Sequence, residues 1–264
     1  MHPGAFTDFL NDQISEAELE ALAVENLTKD FGGVRAVNQV SFSVEPGERL
    51  AIIGPNGAGK TTLFQLLSGM LTPTSGRIFV FGKDITKLPA HQRAALGIGR
   101  TFQITNLFLN LTVLDNVLLA LEASGMTRYN LVRPVSSYKH LLAQAEEILS
   151  QWGLRDRRDL PVRSLSYGEQ RQLEIMLTLS QNRSFLLLDE PTCGLSPEEA
   201  QSFVSIIRAF SRDFTVLLID HDMDVTFGIA EKVMVLHYGT VVAFGSPDEV
   251  KNNPQVQEIY MGVD

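Results

Sequence analysis

The sequence predicts an α/β fold in which a parallel core is accompanied by an antiparallel β subdomain and a helical subdomain. Three observations carry this. Leu50–Ile53, a short apolar run, passes through glycines into Thr61–Leu67, where Leu63, Leu66 and Leu67 share one helical face. Phe185–Leu188 and Thr215–Ile219 are apolar without alternation, as strands covered on both faces are. Between these regions Tyr138, Leu141, Leu142, Ala145, Ile148, Leu149 and Trp152 recur with helical spacing.

In chain order, residues 1–21 form an acidic N-terminal extension with Phe6, Phe9 and Leu10 at helical spacing. Residues 22–264 are expected to form one domain. Ala23–Leu27 and Val40–Val44 flank a turn at Phe31-Gly32-Gly33, and Arg77–Gly82 follows a second turn-rich stretch, which suggests a small antiparallel sheet. Residues 104–180 read mainly as helix, with Leu111–Leu121 strongly apolar and Trp152 assigned to the core. Arg155–Arg163, charged and interrupted by Pro161, reads as a solvated linker. Ser196-Pro197-Glu198-Glu199 and Ser246-Pro247-Asp248-Glu249 each carry an N-cap serine, a first-turn proline and a capping-box glutamate. Lys232–Leu236 and Thr240–Phe244 should pair as a hairpin across His237-Tyr238-Gly239.

Composition excludes several classes. Apolar residues make up 44% of the 264, enough for a sizeable core. A formal net charge of −9 argues against a nucleic-acid partner. The single cysteine, Cys193, permits no internal disulfide framework and suits a reducing cytoplasm. No apolar run approaches the roughly 18–20 residues needed to span a bilayer, and the N-terminus lacks a basic start and an apolar signal core. The expectation is a cytoplasmic chain that meets a membrane only through a partner.

The chemistry centres on Gly54-Pro55-Asn56-Gly57-Ala58-Gly59-Lys60-Thr61-Thr62. Its spacing fits a phosphate-binding loop, and so does its position between strand and helix. Such a turn aims several backbone N–H groups, and the positive end of a helix dipole, at one point. Lys60 should reach the β- and γ-phosphates of a nucleoside triphosphate, and the Thr61 hydroxyl should ligate Mg²⁺. Phe185–Leu188 ends in Asp189 and Glu190. Asp189, at the strand edge, can hold Mg²⁺ through water, and Glu190 can polarise the attacking water.

Leu165-Ser166-Tyr167-Gly168-Glu169 opens a helix upstream of that strand, and with it the chain resembles the ATP-binding-cassette family of transport ATPases over residues 22–264. The family usually shows LSGGQ here; Ser166 and Gly168, which meet the γ-phosphate across a dimer, are retained, whereas Tyr167 and Glu169 depart. The resemblance implies a P-loop NTPase (RecA-like) core. It also implies a glutamine loop at Thr101-Phe102-Gln103, with Gln103 sensing Mg²⁺ and coupling to the membrane partner, and Phe31 stacking on adenine. His221 takes the place of the switch histidine that contacts the γ-phosphate. Cys193-Gly194-Leu195-Ser196 occupies the loop usually written SALD, with Ser196 replacing aspartate.

LFLNLTVLDNV, LSYGEQRQLEI, DEPTCGLSPEE, LLIDHDMDV and VKNNPQVQEIYMG are similar to ATPase subunits of branched-chain amino-acid uptake systems. That likeness implies an ATPase on the inner face of the cell membrane. Its partners would be membrane permease subunits, a second ATPase subunit, identical or related, and indirectly a solute-binding protein. Urea and short-amide importers, a non-transport cassette ATPase of translation or DNA repair, and a P-loop kinase or switch are the alternatives.

Overall fold

The computed structural model describes residues 20–100, 107–124, 139–180, 184–209, 212 and 214–261. The readings at residues 1–19, Tyr138 and the Thr101-Phe102-Gln103 loop lie outside these residues. In chain order the elements are β1 (Leu22–Phe31), β2 (Val34–Val44), β3 (Arg49–Ile53), α1 (Lys60–Leu67), β4 (Ser75–Val80), β5 (Lys83–Asp84), α2 (Ala90–Ala95) and β6 (Ile98–Arg100). They continue as α3 (Val113–Ser124), α4 (Lys139–Gln151), α5 (Tyr167–Leu179), β7 (Phe185–Asp189), α6 (Pro197–Ala209), β8 (Thr215–Ile219) and α7 (Met223–Ile229). The hairpin β9 (Lys232–His237) and β10 (Thr240–Gly245) is followed by α8 (Pro247–Lys251) and α9 (Pro254–Met261).

Two sheets result. An antiparallel sheet has the order β2-β1-β4-β5, and a larger one has the order β10-β9-β3-β8-β7-β6. In the larger sheet only β10 runs antiparallel to its neighbour.

Alternate side chains of the central parallel strands enter different cores. Leu50 and Ile52 of β3, Phe185 and Leu187 of β7, and Leu217 and Ile219 of β8 join α1 and the antiparallel sheet in one cluster. Their neighbours Ala51, Ile53, Leu186, Leu188, Val216 and Leu218 pack on the other side with Phe203, Val204 and Ile207 of α6 and Val225 and Ile229 of α7. Because both faces are apolar, alternation disappears from the sequence. A third cluster joins α3, α4 and α5 through Val117, Leu121, Leu141, Ala145, Leu149 and Leu173. Trp152 packs against both the second and the third cluster, in agreement with its core assignment.

The segment read as a solvated linker is instead tied to the start of α3. Val113 and Leu114 N–H groups donate to the Leu160 and Arg158 carbonyls, and Val162 and Arg163 donate back to Leu111 and Leu109. Val162 is fully buried, and Arg155 and Arg158 both pair with Glu146 of α4. The charges do face solvent in part, but backbone pairing and one apolar anchor hold the segment in place.

Arg93 of α2 is a structural residue that no sequence pattern marks. It is 1% exposed, and its guanidinium donates to the carbonyls of Leu66 (2.7 Å), Leu67 (2.8 Å), Leu88 (2.8 Å) and Thr86 (3.0 Å). The first two are carbonyls at the end of α1, where the helix dipole attracts positive charge, and the Leu66 carbonyl also accepts from the Gly69 N–H at 3.2 Å. Burial lowers the guanidinium pKa to about 10, so the group stays charged at neutral pH. Arg93→Met keeps the stem volume but removes the guanidinium from all four carbonyls. It should lower unfolding stability by about 3 kcal/mol, read as a lower urea midpoint at unchanged denaturant slope.

Candidate functional site

The C-terminal ends of β3, β7 and β8 lie side by side in the larger sheet, so the three loops that leave these strands converge on one edge. After β3 comes the phosphate loop. Gly54 and Gly59 hold positive φ angles of 150° and 102°, and a Cβ on either would strike the Leu236 or the Ala36 carbonyl. Glycine is therefore required twice over, by backbone conformation and by close packing. The loop is braced from outside: Gly239, in the β9–β10 turn, donates to the Ala58 carbonyl at 2.9 Å and accepts from Asn38 at 2.8 Å. Pro55 is half-buried and Ala58 buried, while Asn56, Gly57 and Thr61 are exposed and Thr62 is partly so.

Lys60, the first residue of α1, is buried. Its ammonium donates to the Gly54 carbonyl at 2.5 Å and the Pro55 carbonyl at 3.0 Å, which folds it over the loop. Burial lowers its pKa, and the negative charge of Glu190 acts in the opposite direction. The cation is thus held where an incoming polyphosphate would meet both it and the helix N-terminus.

After β7 the chain presents Asp189, 5% exposed, and then Glu190. Glu190 sits in the left-handed region at φ 46°, rare for a residue with a side chain, with its N–H donating to the Ile219 carbonyl at 2.8 Å. Its Oε1 lies 2.7 Å from Nε2 of His221, which comes after β8. The imidazole is half exposed, so the pair faces solvent.

Asp220 organises this edge, although no sequence motif assigns it a role. Its buried carboxylate accepts from the Thr192 hydroxyl (2.7 Å), the Thr192 N–H (3.2 Å) and the Asp222 N–H (3.0 Å). The loops after β7 and β8 are thereby sewn together, which fixes Glu190 against His221. Asp222 in turn caps α7 through the N–H groups of Asp224 and Val225. The available signal was a carboxylate ending an all-apolar strand, which has to find donors when buried.

Ser166 and Gly168 open α5 rather than the phosphate edge, and both lie against the carboxylate of Glu199 of α6. Glu169 completes a capping box with Ser166 and pairs with Arg157 at 3.1 Å. Tyr167, 43% exposed, lies over Gly194, where a Cβ would be 3.3 Å from its ring. The departure at 167 is thus accommodated by a glycine at 194. Arg171 and Glu174 form a buried pair at 2.6 Å, and Arg171 Nε donates to the Pro191 carbonyl, joining α5 to the loop after Glu190. Phe31 ends β1 as an exposed ring with the Lys29 ammonium 5.2 Å from its centroid, open for stacking. Gln103 lies outside the described residues.

Among the described residues no three His, Cys, Asp or Glu side chains cluster as a metal site, and no helix is long and apolar enough to cross a membrane. Comparison with known proteins identifies the family. Residues 37–193 match the family model described as ABC transporter, and residues 240–264 match that of the branched-chain amino acid ATP-binding cassette transporter. The high-affinity branched-chain amino acid transport ATP-binding protein LivG of Salmonella typhimurium is 38% identical over 250 residues, covering 91% of this chain and 97% of that protein. The ADP conformation of MJ1267, an ATP-binding cassette of an ABC transporter, superposes with a TM-score of 0.81 at 30% identity, covering 92% of this chain and 99% of that one. A dimeric post-hydrolysis structure of the cassette MJ0796, bound to ADP and Pi, gives 0.69 at 25% identity, covering 86% and 98%. The chain thus belongs to the ABC transporter family, as one of its ATP-binding ATPases.

Proposed function

We propose that this chain is the ATPase subunit of an importer for branched-chain amino acids, held at the cytoplasmic face of the membrane by permease subunits. A solute-binding protein would deliver the cargo to those subunits. The observation that carries the substrate class is the match of residues 240–264 to the model of the branched-chain amino acid ATP-binding cassette transporter. The exposed apolar side chains Phe108, Leu109 and Leu111 at the approach to α3, with Leu160 on the segment paired to it, suit contact with a permease.

Two such domains close head-to-tail around two ATP molecules. Each site takes Lys60, Asp189, Glu190 and His221 from one chain and Ser166 and Gly168 from the other. Lys60 neutralises the β- and γ-phosphates, and the loop N–H groups fix their orientation. Thr61 and the buried Asp189 suit a Mg²⁺ ion that keeps phosphate and water oxygens as its remaining ligands, and this needs no cluster of three protein carboxylates. Mg²⁺ would neutralise charge on the transferred phosphoryl group. Glu190 orients and deprotonates the attacking water, and His221, held against it, reaches toward the γ-phosphate. Gln103 is proposed to sense the metal and transmit its state to the permease. Phe31 stacks on adenine and discriminates weakly among bases.

The test is uptake. Deleting the gene should abolish transport of labelled leucine, isoleucine and valine and spare that of urea, with rescue by the wild-type gene and not by Glu190→Gln. Loss of urea uptake alone would reassign the cargo. Retention of every uptake activity would remove the transport assignment.

A further inference from the structure

The N-terminus of α5 is already occupied in the isolated chain. The Glu199 carboxylate reaches it from α6: Ser166 Oγ donates to Glu199 Oε1 at 3.4 Å, and the same carboxylate packs against Gly168. The approach is close, since a Cβ on Gly168 would stand 2.5 Å from Oε1. The other oxygen, Oε2, accepts from the Ser196 N–H at 3.0 Å, within the capping box of α6. One carboxylate therefore has two tasks, a local cap and a bridge to the next helix. Ser166, Gly168, Gln172, Leu195, Glu199 and Phe203 line a cleft of about 150 Å³ there. The Ser196 N–H first, then the Gly168 N–H and the two serine hydroxyls, favour the ionised form of Glu199.

An anion thus sits on the donors that the proposed mechanism reserves for the partner's γ-phosphate. Two like charges cannot share one pair of donors at the N-terminus of one helix. We infer that Glu199 is an intramolecular latch, a carboxylate standing in for the partner's γ-phosphate on Ser166 and Gly168, which must swing away before the ATP-bound dimer closes. The swing is local, because Oε2 keeps its capping bond to Ser196 while the bridge to α5 opens. The latch raises the ATP level needed for closure and leaves nucleotide binding at the phosphate loop of the single chain untouched. This inference rests on the shared-site reading above.

The experiment uses the full chain carrying Glu190→Gln, in which closure is not reversed by hydrolysis, and follows ATP-dependent dimerisation by light scattering. Adding Glu199→Gln, which removes the charge and keeps an acceptor for Ser196, should lower the ATP concentration at half-dimerisation by roughly threefold to tenfold, the scale of one charge-assisted hydrogen bond. Glu199→Asp, too short to bridge, should act in the same direction. Binding of a fluorescent ATP analogue to dilute monomer should not change. An unchanged or raised ATP requirement in both variants would overturn the latch and leave the shared site standing. Loss of folded structure in both, by circular dichroism, would reduce Glu199 to a helix cap and equally overturn it. Absence of any ATP-dependent dimer in the Glu190→Gln parent would instead strike the shared-site reading itself, and the latch with it.

Discussion

Glu190→Gln lowers ATP turnover by roughly 10²–10⁴-fold, the span expected when a positioned general base is removed, while ATP still binds. The two effects separate because Glu190 lies at the end of β7 and Lys60 at the start of α1, on different supports. Glutamine has the same shape and accepts the same His221 contact, so the edge keeps its geometry. What it lacks is a carboxylate able to take a proton from water. The protein should accumulate as an ATP-bound dimer, visible by light scattering and by retention of unhydrolysed ATP through gel filtration. Turnover within a few-fold of wild type would mean that another group activates the water.

Two inactive variants, Lys60→Ala and Gly168→Asp, should restore one another when mixed. Lys60→Ala removes the buried ammonium from the phosphate loop, and Gly168→Asp places a side chain and a charge where the packing leaves no room. In a mixed dimer both lesions fall in one of the two sites, and the other is assembled from intact halves. At equal concentrations about half the dimers are mixed and each has one good site, so roughly a quarter of wild-type activity should return. Coupling between sites would reduce the figure without changing its sign. If each chain built its own complete site, no mixture would recover activity even with mixed dimers present.

The parts of the fold legible in the sequence are those governed by local pattern. Phe185–Leu188 and Thr215–Ile219 announce two-sided burial because each residue has an apolar neighbour whichever way it points. The phosphate loop is legible because its glycines and Lys60 lie within a few residues of one another. The serine caps before α6 and α8 are legible for the same reason.

What escaped depends on distant partners that carry no side-chain signature. Arg93 donates only to backbone carbonyls, which look the same in any sequence. Asp220 meets Thr192 from 28 positions away, and Glu199 meets Ser166 from 33. β6, from Ile98 to Arg100, is too short to show a period at all. The Arg155–Arg163 segment misled because composition describes side chains, whereas this stretch is held by its main chain.

Trp152, packed at once on the sheet-side core and on the helical cluster, is the chain's one tryptophan. Its position makes the protein its own optical instrument. The emission maximum and quenching of an indole depend on its local polarity and neighbours, so excitation at the red edge of its absorption band, where the five tyrosines do not absorb, reports on this seam alone. A stopped-flow trace after mixing with nucleotide would time any displacement of the helical cluster against the sheet without an attached dye, a label site or a second chromophore to subtract.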